Sequence, residues 1–332
     1  MAVKIKDVAA HAGVSVGTVS NVLNGRETVS PAAAERVRAA IDALGYVRND
    51  AARQLRAGRS RSIALIVLDV GNPFFAAVAR GAEARAAEDG YVVLLGSSGG
   101  DADHERLYLD QFREQRVAGV LLTPAVPEGD VVQHLASAGV PLVLVDEQTE
   151  SDAACTVSVD DVEGGHLAVA HLLAQGRRRI AVVAGPLTTR QVADRLEGAR
   201  RAVAEVDGAR LEVIATDAMT VLAGRAAGEA LRERHDRPDA VFAANDLLAV
   251  GLLQALTMLG GIRVPDDIAL VGYDDIDFAA ATVVPLTSIR QPAEELGATA
   301  VDLLLRQLDG ELDPAERQVR FRPELVVRAS SG

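Results

Sequence analysis

From Ile63 onward the sequence alternates short β-rich runs with longer amphipathic stretches, and that alternation limits the folds open to it. The strand candidates are 63–70, 91–96, 120–123, 141–145, 180–184, 211–215, 240–243 and 268–272. Helical periodicity fills the gaps, over 73–89, 104–116, 162–174, 194–206, 247–259 and 294–308. Strands joined through crossover helices run parallel, and a parallel sheet needs helices on both faces. The pattern covers roughly 270 residues, which favours two lobes over one barrel, although periodicity alone leaves both open.

The first two dozen residues have a different texture. Lys4 to Asn24 reads as two short helices, Ile5 to Ala12 and Val16 to Asn24, with a tight turn between them. Gly13 stands where a helix must end in a left-handed residue, and Ser15 can cap the second helix. Val19, Val22 and Leu23 form one apolar stripe, matched by Val8 and Ala12, with Val14 filling the turn. Gly17 and Asn21 point away from that stripe, Val16 lies at the exposed N-terminal edge, and Thr18 and Ser20 flank it. Such a face suits a DNA major groove; it equally suits an ordinary surface hairpin. A third helix opens at Ser30-Pro31, runs to Leu44 and stops at Gly45.

Charge separates the two readings. The whole chain carries −13, which taken alone argues against nucleic acid. Residues 1–61 hold ten Lys/Arg and five Asp/Glu, a net of +5, which leaves −18 for residues 62–332. A basic head on an acidic body is expected where only the head touches phosphates. The segment from Arg48 to Gly58 is rich in arginine but too short for a stable isolated helix. It reads either as a flexible basic linker or as a hinge that becomes helical on DNA.

Other classes of function find little support. Gly13-Val14-Ser15-Val16-Gly17 matches the G-x-S-x-G pattern of hydrolases, but a helix precedes it where that motif needs a strand. Nucleotide-cofactor loops are absent, and His166 and His171 lie five apart, on different sides of a helix. An enzyme, a metal and a cofactor are therefore not expected. The single cysteine, Cys155, fits a reducing compartment, and no secretory or membrane-spanning run is visible, so a cytoplasmic protein is expected. A free-standing solute-binding protein would need an export signal and no basic head.

Taken in register, these stretches resemble the lactose-repressor/galactose-repressor (LacI/GalR) family of transcription regulators over essentially the whole chain. In the head the resemblance lies in Lys6-Asp7-Val8-Ala9, Gly13-Val14-Ser15, Thr18-Val19-Ser20 and Val22-Leu23-Asn24. Further on it lies in Ala52-Arg53, Asn72-Pro73-Phe74-Phe75, Gly164-Gly165, Asp194-Arg195-Leu196-Glu197-Gly198, Ala244-Asn245-Asp246, Gly272-Tyr273-Asp274-Asp275 and Pro285-Leu286-Thr287-Ser288-Ile289. The resemblance implies an N-terminal all-α, lambda-repressor-like helix-turn-helix domain followed by a two-lobed α/β effector domain of the type I periplasmic-binding-protein kind. Expected boundaries are a head over 1–47, a hinge over 48–61 and a body over 62–332. Within the body one lobe takes 62–160 with 292–320, and the other 161–290 with 321–332. A homodimer on a near-palindromic operator is implied, without a C-terminal tetramer helix.

The same resemblance places base reading on Val16, Gly17 and Asn21. Only Asn21 among these can make a bidentate pair, most naturally with adenine. Ser15, Thr18, Ser20 and Asn24 are assigned to phosphates, with Asn49 and Arg53 in the hinge. Leu55 matches a leucine that wedges into the minor groove at the operator centre. Arg48 departs from the pattern, standing where many members have proline. For the effector, Phe74, Phe75, Arg195, Asn245 and Asp274 are the expected contacts, with Asp146, Asp160 and Gln191 as weaker candidates. Arg and Asn donate, Asp accepts from paired hydroxyls and an aromatic covers a ring face, which suits a sugar. The chain has no Trp, and Ala218-Met219-Thr220 replaces a common stacking aromatic, which leaves a purine or nucleoside as the alternative.

Overall fold

A computed structural model describes residues 3–23, 28–46, 60–126, 135, 139–149, 154–258 and 261–332. The chain forms two compact units, Met1–Ser60 and Arg61–Gly332. The expected hinge contacts Asn49, Arg53 and Leu55, and Asn24 of the head, lie outside the described residues.

The small unit is built from α1 (Ile5–Ala12), α2 (Val16–Leu23) and α3 (Pro31–Leu44). Val8, Ala9, Ala12, Val19, Val37 and Ala40 close its core, so each helix contributes small or β-branched residues at helical spacing. Ser30 caps α3 by accepting from the Ala33 N–H at 3.4 Å, and Pro31 fills the first turn, where its missing N–H costs nothing.

The large unit contains two six-stranded sheets. The first is built from β1 (Ser62–Val67), β2 (Val92–Ser97), β3 (Gly119–Leu122), β4 (Leu142–Val145), β5 (Cys155–Val159) and β11 (Gln318–Phe321). Its spatial order is β11-β5-β4-β3-β1-β2, with every pair parallel. The second holds β6 (Arg179–Ala184), β7 (Arg210–Ala215), β8 (Ala240–Ala243), β9 (Ala269–Asp274), β10 (Thr287–Arg290) and β12 (Glu324–Val326). Its order is β12-β10-β9-β8-β6-β7, and only β12 runs antiparallel. Both sheets turn back on their order at the first strand, the doubly wound arrangement, so loops at the carboxyl ends of the strands form crevices. The two-lobed architecture expected from the family resemblance is present.

Helices α4 (Pro73–Glu88), α5 (Ala102–Glu114) and α11 (Ala293–Asp309) belong to the first lobe. Helices α6 (Asp161–Ala174), α7 (Arg190–Ala204), α8 (Val221–Glu233), α9 (Asp246–Met258) and the short α10 (Asp277–Ala281) belong to the second. The chain passes between sheets after β5, after β10 and after β11. Strand β11 runs through Phe321, which places that residue with the first sheet, one beyond the expected limit of 320. Central strands β1, β4 and β8 read as continuous apolar runs because helices cover both faces. Four strands escape the sequence pattern. β5 alternates Thr156 and Ser158 with apolar residues although all five positions are buried, and β10, β11 and β12 are three or four residues long. Helix α8 also escapes it, being rich in Ala, Gly and Arg, and α7 begins at Arg190 rather than 194.

One packing detail positions the site. Helices α6 and α7 approach so closely that a Cβ on Gly165 would lie 2.0 Å from the Arg195 carbonyl oxygen. A Cβ on Gly198 would lie 1.9 Å from that of Val162. Only glycine allows this separation, and it sets Arg195 of α7 beside Asp161 of α6. Gly198→Ala should therefore destabilise the large unit by about 1–3 kcal/mol, the usual cost of overpacking, despite alanine's better helix propensity. A lowered urea midpoint is the expected result, and an unchanged midpoint would refute the close approach.

Candidate functional site

In the small unit Gly13 adopts φ 65°, and the N–H groups of Gly13 and Val14 reach back to the carbonyls of Ala10 and Ala9. The chain turns sharply into α2, whose first turn is capped by Ser15: its hydroxyl accepts from the Thr18 N–H at 3.0 Å and shares a hydrogen with the Thr18 hydroxyl at 2.9 Å. Val19 is fully buried, so the opposite face is left outward. Ser15, Val16 and Gly17 are exposed, while Thr18, Ser20 and Asn21 are half-buried beside them. Helix α2 carries no charged residue, so its exposed face offers small side chains, one amide and the partial positive end of the helix dipole.

In the large unit the loops at the carboxyl ends of both sheets converge on a polar cluster. Arg195 lies at its centre and is almost fully buried. Its Nε donates to Asp161 Oδ1 at 2.7 Å, its Nη1 donates to the Ala244 carbonyl at 2.8 Å, and its guanidinium lies 3.7 Å over the Tyr273 ring. Burial would weaken the charge on Arg195, but Asp161 foremost, then Tyr273, Asp274 and Asp146, outweigh it and hold the guanidinium pKa above its ordinary value.

Asp274 ends β9 in a strained left-handed backbone, φ 106°. One of its oxygens accepts from Asn72 Nδ2 at 3.3 Å and the other from Gln291 Nε2 at 2.8 Å. The first bond joins the lobes, because Asn72 caps α4 by accepting from the Phe74 N–H at 3.0 Å. A second junction lies between the start of α7 and the end of β4. Gln191 Nε2 donates to the Asp146 carbonyl, and Arg190 Nη1 donates to that of Gln148 at 2.9 Å. Arg190 also pairs with buried Glu147 at 3.3 Å. Asp146 has φ 57°, and its Oδ1 has no hydrogen-bond partner among the described residues.

Thus Asp146, Gln191, Arg195 and Asp274 come together as one group. Phe74 and Phe75 pack edge to face, centroids 5.1 Å apart, inside the first lobe's core at the start of α4. Asn245 is buried with both ends engaged: its Oδ1 accepts from the Leu248 N–H at 2.9 Å, and its Nδ2 donates to the Met219 carbonyl at 3.1 Å. Asp160 caps α6 through the Glu163 N–H at 3.0 Å and pairs with Arg320 at 2.7 Å. Sequence reading passes over Asp161, Tyr273, Asn72 and Gln291 as site residues. Asn72, Tyr273 and Gln291 (with Pro292) all stand in stretches that resemble the family, which is the available signal; Asp161 is indistinguishable by pattern from the capping Asp160 beside it. Among the described residues no His, Cys, Asp or Glu group is arranged for a metal, and no helix is long and apolar enough to cross a membrane.

Burial dominates the acids. It pushes Asp146 well up, with Asp161 adding to the effect, and raises Asp274 to about 6 and Glu147 to about 7. A carboxyl whose pKa is higher folded than unfolded binds more protons in the native state. Its contribution to stability is complete below the unfolded value, about 4, and is lost as pH rises through the folded one. The large unit should therefore lose stability between about pH 5 and about pH 8. Glu147→Gln and Asp274→Asn together should flatten that slope in urea denaturation, and a slope unchanged by both would show that these carboxyls do not set it.

Comparison with known proteins matches this architecture. The model of the bacterial regulatory proteins of the lacI family matches residues 4–49, and that of the periplasmic-binding-protein-like domain matches 169–331. The HTH-type transcriptional repressor PurR of Photobacterium profundum is 34% identical over 330 residues, covering 98% of each chain. A solved complex of the transcriptional regulator CelR with cellobiose is 35% identical over 99% of each chain, with a TM-score of 0.73. The Lac repressor dimer bound to operator and the anti-inducer ONPF is 29% identical, covers 100% of this chain and 99% of that one, and superposes with a TM-score of 0.85. The helix-turn-helix head, the paired doubly wound sheets and full-length similarity to repressors agree: the chain belongs to the LacI family of bacterial regulatory proteins and is a transcriptional repressor, not an enzyme.

Proposed function

We propose that the chain works as a homodimer on a near-palindromic operator and that a small, hydroxyl-rich molecule in the inter-lobe cleft, a sugar or sugar derivative, sets its affinity for DNA. The observation that carries this is the pairing, in one chain, of an outward α2 face on a basic head with a buried polar cluster that bridges two lobes. Val16, Gly17 and Asn21 read bases, Asn21 by a bidentate pair, while Ser15, Thr18, Ser20 and Asn24 hold phosphates. Asn49, Arg53 and Leu55 are assigned to the hinge on the sequence match alone. In the cleft Asp146, Gln191, Arg195 and Asp274 face the effector, with Phe74 and Phe75 behind them; Asn245 and Asp160 contribute by holding α9 and α6 in place.

Exposed apolar side chains support self-association. Val92, Leu95 and Leu107 stand out of the first lobe, and Leu222, Met258, Phe278 and Val283 out of the second. Two identical heads would read two half-sites, and the Lac repressor neighbour is a dimer on its operator. The CelR neighbour, which carries cellobiose, supports a sugar. Because ligand and DNA would bind one equilibrium of lobe closure, their coupling is reciprocal, of order 1–3 kcal/mol.

Selection from randomised duplex DNA, followed by anisotropy on the enriched sequences, tests this reading. Enriched sites should contain two symmetric half-sites, with affinity falling steeply as salt rises. Asn21→Ala should lose preference at one base pair per half-site, at roughly 1–3 kcal/mol per pair. Leu55→Ala should weaken binding to the enriched operator more than about tenfold through loss of the minor-groove wedge. Enriched sequences without two-fold symmetry would refute the dimeric reading, and unaltered preference in Asn21→Ala would refute the register of α2.

A further inference from the structure

Strand β5 buries two hydroxyls on a face where its neighbours are apolar. Cys155, Val157 and Val159 belong to the core that α4 and α11 cover, so Thr156 and Ser158 face the other side of the sheet. Thr156 stands beside Leu144 of β4, which packs in the core shared with α5. Thr156 is only 3% exposed and Ser158 4%, yet neither hydroxyl has a hydrogen-bond partner among the described residues. In β11 their register partners are Gln318 and Arg320, which share that face. These four side chains line a pocket of about 240 Å³, closed on its other side by Gln148, after β4, and Arg190, at the start of α7 in the second lobe. That is far more room than one water needs. Asp146, Arg195, Tyr273 and Asp274 do not line it, so it is separate from the polar cluster of the cleft.

The lining is rich in donors, and none of its described residues is acidic. Asp160 pairs with Arg320 at 2.7 Å, and Glu147 and Asp194 pair with Arg190 at 3.3 and 3.5 Å, all three from outside the lining. These pairs hold the arginines in place and use only part of the five N–H groups of each guanidinium. They also keep the net charge small, so an anion gains here from charge-assisted hydrogen bonds and not from a strong positive field. The amide nitrogens of Gln148 and Gln318 are engaged with the carbonyls of Val159 and Thr149. Two guanidinium groups and two hydroxyls thus remain as donors to the pocket, a set that matches the terminal oxygens of a tetrahedral oxyanion. We infer that this pocket at the edge of the first sheet is a second ligand site, for a phosphate group, free or as a small monoester. The phosphate group bridges Arg320 of the first lobe and Arg190 of the second, and Thr156 and Ser158 donate to its remaining oxygens. Such a bridge adds a link between the lobes beyond the Asn72–Asp274 bond, so it is coupled to any equilibrium of lobe closure. The site stands whether or not the cleft is the effector site.

Calorimetric titration of the full chain in phosphate-free buffer tests this, with inorganic phosphate, glucose 6-phosphate and glucose as probes. At least one phosphate-bearing probe should bind. Arg320→Gln should weaken that binding at least about tenfold, and the double variant Thr156→Val, Ser158→Ala at least about fivefold. Thermal unfolding is the folding control. The double variant keeps the test open if Arg320→Gln does not fold, because it removes no side-chain hydrogen bond among the described residues. Inorganic phosphate bound as tightly as the ester assigns the site to the phosphate group alone. Binding of the ester only assigns it to a monoester whose skeleton fills the rest of the pocket, and both results uphold the inference. It is overturned if neither phosphate-bearing probe binds, or if both variants leave the binding unchanged, as they would for an anion held at the basic head or in the cleft. Glucose binding that both variants abolish overturns it as well, since the pocket would then take a neutral ligand.

Discussion

The buried pair of Arg195 and Asp161 is the interaction on which the effector body depends. Taking a guanidinium and a carboxylate out of water costs several kcal/mol for each ion, and only close geometry with further hydrogen bonds offsets it. Here the contact is 2.7 Å, the Ala244 carbonyl takes a second donor, and the Tyr273 ring lies beneath the guanidinium plane. Each of those partners is fixed by a different element: Asp161 by α6, Ala244 by the end of β8 and Tyr273 by β9. The glycines at 165 and 198 let α6 and α7 close to the distance the pair needs. The ion pair, the helix packing and the order of strands are thus one constraint seen from three sides.

Contacts between the lobes have a different character. Each lobe has its own apolar core, one around the second sheet and two on the faces of the first. Across the cleft, among the described residues, the bonds are polar and few in kind: Asn72 to Asp274, Gln191 to Asp146, and Arg190 to Glu147 and Gln148. A polar seam exchanges its hydrogen bonds for water with a small net change, about 0.5–1.5 kcal/mol per bond, whereas parting an apolar interface of equal area would cost far more. Lobes joined in this way can open and close within the few kcal/mol that a small ligand supplies.

Much of this is legible in the sequence, and what is not has physical reasons. The alternation of strand and helix is readable because parallel strands must be apolar on both faces, as β1, β4 and β8 are. The turn at Gly13 and the caps at Ser15 and Ser30 are readable because a helix end demands those residue types. β5 is hidden because Thr156 and Ser158 place hydroxyls where burial predicts apolar groups. α8 is hidden because Gly224 sits where the backbone of α9 comes within 2.1 Å of its ideal Cβ, so close packing replaces the large apolar residues of an ordinary amphipathic stripe. In the cleft, Arg195, Asp274 and Gln291 stand in stretches that resemble the family, whereas Asp161 acts only through a partner 34 residues away. No window of sequence contains both ends of such a bond.

The separation of charge along the chain follows from what the head must touch. An operator-reading head must be basic, since phosphates supply most of the affinity. With +5 on residues 1–61 and −18 on the rest, the body repels DNA wherever the head does not hold it. The acidic body thus works against contact with the duplex and leaves the basic head as the surface that suits phosphates.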